Sequence, residues 1–207
     1  MLVKTCAKAW GLCCTALVLA MPLSPLQAQE RGPRLTPDHA IDVYISEDAM
    51  QGLYSRQLSM EEFGPIEIRG GVFYNEARDL IAMADGLVQI GEVEPRERLR
   101  FKAGSRMYGA FLATENNDIF AVAVGGEAEY FLGNQQSASI MLEAYYAPDI
   151  LTFGTADNMS DVSLRINFGL NSATNVYAGY RLFEIETLVS GDREIDDHLH
   201  VGFRRNF

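Results

Sequence analysis

Apolar and polar residues alternate with a period of two along most of the chain. The clearest run is the last one. Leu199, Val201, Phe203, Arg205 and Phe207 fall on one side of it, and His198, His200, Gly202, Arg204 and Asn206 on the other. Successive side chains of a strand point to opposite faces, so this run predicts a strand with one largely apolar face. In Val162–Leu170 the residues Val162, Leu164, Ile166, Phe168 and Leu170 oppose Ser163, Arg165 and Asn167. Phe120–Leu132, Leu99–Phe111, Ile140–Tyr146 and Val176–Leu182 alternate in the same way. Ile66–Tyr74, Leu80–Gly91 and Ala40–Ser46 do so less regularly, and Met50–Leu58 has no cleanly apolar face. The chain therefore reads as all-β, with about ten strands, or eight if the first two fail.

The connections alternate too. Glu94–Glu97, Gly133–Gln136 and Asn171–Ala173 are short, whereas Pro148–Ser160 and Glu186–Asp196 are long and polar. Short turns at one rim and longer loops at the other predict a small antiparallel transmembrane β-barrel. Such a closed sheet leaves no backbone polar group without a partner in lipid. The terminal Phe207 places the end of the last strand at the periplasmic rim. Outward loops then fall at Glu47–Met50, Asn75–Asp79, Ala113–Asp118, Pro148–Ser160 and Glu186–Asp196.

Residues 1–28 have the pattern of an export signal. Lys4 and Lys8 precede an apolar stretch strongest over Thr15–Met21, and Leu26-Gln27-Ala28 offers a cleavage site before Gln29. That stretch is far short of the ~20 residues needed to span a bilayer. Residues 29–39 read as a flexible leader and 40–207 as the barrel. Cys6, Cys13 and Cys14 all lie in the signal, so the mature chain is expected to hold no disulfide or cysteine-bound metal. Loss of the signal leaves fifteen basic against twenty-eight acidic residues, a net charge of −13. That balance argues against nucleic acid as a partner. The expected setting is the outer membrane of a Gram-negative cell, with membrane lipid, lipopolysaccharide and the barrel-assembly machinery as partners.

Alternation alone does not say which face meets lipid, since a soluble barrel would turn its apolar face inward. The charges help to decide. The polar faces carry Asp42, Glu67, Asp85, Glu127, Glu129 and Glu143, and against them Arg69, Arg100, Lys102, Arg106, Arg165 and Arg181. Six acids and six bases are what a narrow enclosed lumen requires, because charges out of water must compensate one another. A ten-strand barrel has a narrow interior, and twelve long charged side chains fill much of it. A narrow or occluded charged lumen with a structural or interaction role is the expectation. The alternative is a small cation-preferring channel. The expected outward loops hold twelve acids (Glu47, Asp48, Glu76, Asp79, Glu115, Asp118, Asp149, Asp157, Glu186, Asp192, Glu194, Asp196) against Arg78 and Arg193, and such a mouth attracts cations.

Catalytic chemistry has little to work with. His39, His198 and His200 are the mature histidines, and no third metal ligand accompanies the His198/His200 pair. A membrane hydrolase, the third reading, would need a placed nucleophile and an orienting acid, for which Ser163 and Asp197 can be named. No catalytic site, cofactor or metal is expected. Gly70-Gly71 and Gly125-Gly126 lie within strands and read as bends or close packing.

Three stretches resemble the YfaZ family of outer-membrane proteins: AVAVGG at Ala121–Gly126, EAYYAPD at Glu143–Asp149 and AGYRL at Ala178–Leu182. The family reads similarly there, with an AVAVGGG-type strand, a GEYYYSPD-type strand end, an AGYRY-type strand and a final strand ending in Phe. The resemblance runs from about Ile41 to Phe207 and is specific over the C-terminal half. It implies an outer-membrane barrel, sometimes labelled a porin, and carries over no catalytic or ligand-binding residue. The final segment also resembles the signal read by the barrel-assembly machinery, through His200, Gly202 and Phe207. Arg205 departs from that pattern, standing where an apolar or aromatic residue is usual.

Overall fold

The structure is a computed structural model that describes residues 38–60, 64–90, 98–113, 118–132, 137–187 and 191–207. The expected signal, the leader up to Pro37 and the turns at Glu94–Glu97 and Gly133–Gln136 lie outside the described residues. The strands are β1 (His39–Ser46), β2 (Ala49–Met60), β3 (Gly64–Asn75), β4 (Leu80–Ile90), β5 (Leu99–Phe111), β6 (Asp118–Leu132), β7 (Ala138–Ala147), β8 (Thr152–Phe153), β9 (Ala156–Gly169), β10 (Thr174–Thr187) and β11 (Gly191–Asn206). Each long strand pairs antiparallel with the next long strand, β7 with β9 included, and the sheet closes because β1 pairs with β11 and β5 with β6. Ten long strands make the ring. The two-residue β8 sits beside it, paired to β6 at Phe120 and Ala121.

The period of two shows directly in burial. Ile41, Ile45, Ile68, Val72, Met107, Val124, Leu142, Leu164, Ile166 and Phe203 point outward and are exposed, while their neighbours in sequence point inward. Phe111, Phe120 and Phe153 lie toward one rim of this apolar band, and Tyr54, Tyr130, Phe168 and Phe207 toward the other. An apolar outer band with aromatic borders and polar groups inside is the arrangement of a transmembrane barrel. β2 forms despite its ambiguous pattern, because β1 and β3 supply backbone partners along both of its edges.

Two expected loops are largely strand. β9 begins at Ala156, within Pro148–Ser160, and β10 and β11 run to Thr187 and from Gly191, through Glu186–Asp196. The polarity of the faces inverts in these extensions. Phe183, Ile185, Met159 and Ile195 are buried inside, and Glu184, Glu186, Asn158 and Ser160 lie on the other face. Outside a bilayer a barrel wall follows the rule for soluble sheets, apolar in and polar out. β11 also changes phase: Phe183 pairs with Asp196 but Glu184 with Glu194, leaving Ile195 as an extra residue. This bulge turns both Ile195 and Asp196 inward. At the opposite rim, Asn171 closes the β9–β10 turn, its Oδ1 accepting from the backbone N–H groups of Ala173 and Thr174.

Small residues inside the ring make room for rings on the next strand. A Cβ placed on Gly202 would lie 2.4 Å from Tyr177 Cζ and 2.4 Å from the Val43 carbonyl oxygen, across the β1–β11 seam. The second of these is backbone and can move only if the seam opens. Gly202→Ala is therefore expected to destabilise the folded barrel by about 1–3 kcal/mol, the usual effect of overpacking. Equal midpoints for Gly202→Ala and wild type in urea unfolding would show that the seam is not tightly packed there.

Candidate functional site

The interior has three levels. At the outward end Phe73, Ile81, Tyr108 and Phe183 are 0 % exposed and belong to one apolar cluster with Met83, Ile119, Met159 and Ile185. Phe183 of β10 meets Phe73 of β3 at 6.1 Å between ring centroids and Tyr108 of β5 at 5.7 Å, so side chains touch across the ring. The sequence reading missed this level, because the small and apolar inward residues of β4, β6 and β10 carry no charge to mark a lumen.

Charges occupy the middle. Each of the twelve residues expected inside makes an ion pair with another inward charge. Arg69 Nε donates to Asp85 at 2.7 Å, and its Nη1 pairs with Glu127 and, at 3.1 Å, with Glu143. Arg106 Nε donates to Asp85 at 2.7 Å, Nη2 to Glu143 at 2.8 Å and Nη1 to Asp161 at 3.2 Å, while its guanidinium lies 4.0 Å over the Tyr145 ring. Arg181 pairs with Asp161 at 2.8 Å, and Lys102 with Glu67 and, at 3.1 Å, with Glu127. Arg204 reaches Glu67 at 2.6 Å. These contacts join Arg69, Lys102, Arg106, Arg181 and Arg204 to Glu67, Asp85, Glu127, Glu143 and Asp161 in one connected set of five bases and five acids. Arg100 lies 3.5 Å from Glu129 and Arg165 3.5 Å from Asp42, completing two looser pairs.

Two members of the set were not counted from the sequence. Asp161 immediately precedes the expected strand Val162–Leu170, and extending the alternation back by one residue would have found it. Arg204 shares a face with His200 and Gly202. The register decides partners that alternation cannot. Arg106 stands opposite Ala123 on β6 and Asp85 on β4, so it pairs with Asp85 and not with Glu127.

The third level is a cup at the rim that carries Asp38 and Asn206, with a volume of about 270 Å³. Arg100, Glu129, Arg165 and Arg204 line it.

Some of the outward acids are less open than expected, although Glu47, Glu76, Asp118, Asp149 and Glu194 are exposed. Asp79 is 1 % exposed. Its carboxylate accepts from Arg193 Nη2 at 2.8 Å and from the Ala113 backbone N–H at 3.0 Å. This ties the β3–β4 turn to β11 and to the end of β5. Asp196 is buried and accepts from the Tyr44 hydroxyl, and Glu186 accepts from the Asn158 amide. Glu115 lies outside the described residues.

The expected assembly-signal residues sit at the closing seam. His200 is buried beside Tyr44, at 4.4 Å between ring centroids, Gly202 lies under Tyr177, and Phe207 stacks on His39 at 6.0 Å. The hydrolase constellation does not converge. His198 contacts Asp48 and Asp196, Asp197 accepts from the Tyr180 hydroxyl, and Ser163 hydrogen-bonds neither histidine among the described residues. Nor do three metal-ligating side chains gather among the described residues.

Comparisons with known proteins add the following. A family model described as YfaZ precursor matches residues 68–207. The crystal structure of the outer membrane channel DcaP of Acinetobacter baumannii is similar with a TM-score of 0.40 and 11% identity, over 80% of this chain and 54% of that one. The chain thus spans about half the length of that channel. No curated protein matches the sequence.

Proposed function

The chain belongs to the YfaZ precursor family, and from that premise we propose that it is a small outer-membrane β-barrel with a closed interior. Its role is structural, or one of interaction through the outward hairpins, and it is neither an open channel nor an enzyme. The observation that carries this reading is the contact of Phe183 with Phe73 and Tyr108 across the ring, above a layer of paired charges. A hydrated ion entering from outside would have to part fully buried rings and then break buried ion pairs. Neither step is favourable without a large rearrangement. The outer membrane is supported by the apolar band with its aromatic borders and by the expected signal.

The test is one preparation with two readouts. The protein is followed through cell fractionation, purified from the membrane fraction and reconstituted in planar lipid bilayers. Recovery with the outer membrane is expected, as is no steady current above that of the bare lipid. A soluble periplasmic species would overturn the location. A large, stable conductance would overturn the closed interior and favour the cation-preferring channel, whose selectivity should weaken as salt screens the acidic outer end.

A further inference from the structure

Hydrogen-bonding capacity in the inner cup is unbalanced. Three of the four carboxylates that line it are provided for, and the fourth, Asp38, is exposed to solvent. Asp42 accepts from the Tyr177 hydroxyl, Glu67 from Lys102 and from Arg204 at 2.6 Å, and Glu129 from the Ser139 hydroxyl at 2.7 Å. Arg165 is not. Its Nε is buried and makes no hydrogen bond. Its Nη2 rests on the Met141 thioether at 3.0 Å, a weak acceptor, and its Nη1 lies 3.5 Å from Asp42. The guanidinium is held in place by the Tyr177 ring, 4.7 Å away. By contrast, Arg69, Arg106 and Arg181 each donate to two or more oxygens. A second loosely paired guanidinium, Arg100, lines the wall of the cup over Phe131 and is itself partly exposed.

A buried donor without an acceptor is the unmet half of a hydrogen bond, and a guanidinium fork fits the two oxygens of a carboxylate or phosphate. We propose that the cup is a binding site for a compact soluble oxyanion, with the head group on the Arg165 guanidinium and Arg100 attracting it at the entrance. A volume of about 270 Å³ is just below the ~300 Å³ at which drug-sized pockets begin, so the solute is small. Among the described residues the cup is walled by strands and opens at a rim, so it draws on solution and not on the lipid face. That this rim faces the periplasm rests on the proposed outer-membrane location. Binding itself does not depend on that location or on whether the interior conducts.

The experiment is calorimetric titration of the folded protein with inorganic phosphate, in a non-ionic, phosphate-free detergent at low ionic strength. Saturable binding at one site is expected. Arg165→Lys keeps the charge and removes the fork, and should weaken binding at least about tenfold. Arg56→Gln, at an exposed arginine on β2 that does not line the cup, should leave it unchanged. No saturable binding to wild type, or equal affinity in Arg165→Lys, would overturn the proposal. If Arg165→Lys does not fold, labelling wild type with phenylglyoxal and mapping the modified arginines replaces it. Phosphate should then protect Arg165 but not Arg56, and equal labelling of Arg165 with and without phosphate would sink the site. A bilayer current with binding retained would remove the closed interior and leave the cup standing.

Discussion

Replacing Arg106 with methionine is expected to lower stability by about 3–5 kcal/mol, the loss that follows when one partner of a buried ion pair is removed. Arg106 is 1 % exposed, and its guanidinium serves Asp85, Glu143 and Asp161 on three strands. Without it the connected set keeps five acids against four bases, in a space already filled by neighbouring side chains. Methionine replaces most of the volume, so the loss reports charge and not a cavity. The measurement is reversible urea unfolding in lipid vesicles, followed by circular dichroism, because the single tryptophan, Trp10, lies in the expected signal. A double-mutant cycle with Asp85→Asn should show coupling, since the two groups touch. A loss below about 1 kcal/mol, the range of exposed pairs, would mean that water reaches this layer and that the interior is not closed by it.

Val124→Arg should destabilise by about 2–4 kcal/mol, the cost of a basic side chain at the bilayer midplane. Val124 sits near the centre of β6, points away from the interior and is 55% exposed. Ser160→Arg is the matched control. Ser160 also faces outward, but on the part of β9 where the outer surface has turned polar, and its change should stay within about 0.5 kcal/mol. The difference between the two sites matters more than either value. Equal, small effects would place Val124 in water and reverse the assignment of the lipid face. Equal, large effects would extend the apolar slab over the whole height of β9.

The strands of the apolar band were legible in the sequence because two independent constraints agree there. The backbone enforces a period of two, and lipid outside with charge inside gives that period a strong contrast. Leu99–Phe111 shows this best: Leu99, Phe101 and Met107 fall opposite Arg100, Lys102 and Arg106, and β5 has the same limits. Where the contrast fades the reading stops short. Glu184 and Glu186 lie beyond the band, where polar residues on the outer face resemble a loop although the alternation continues, and the inward Asp161 was passed over because its outer neighbour Ser160 is polar too. The bulge at Ile195 adds a residue, so Arg193 and Ile195 fall out of phase with His198 and His200. Pairing across the interior was not legible at all. It depends on register and closure, which bring Arg69 of β3 to Glu127 of β6 and Arg181 of β10 to Gln51 of β2. The loosely held Arg165 was named as one charge among twelve, and only its contacts distinguish it.

The connected charges run from Arg204 on β11, through Glu67 on β3 and the middle strands, to Arg181 on β10. Arg204 comes from the strand made last and Glu67 from one made early, so this link cannot form until β11 has found β1. An unfinished barrel must then hold Glu67 with one cation fewer, next to a low-dielectric wall. Ring closure and charge neutralisation are thus the same event. Such an arrangement favours cooperative closure over a partial sheet. A chain truncated before Arg204 should be a target for quality control and not a smaller working barrel.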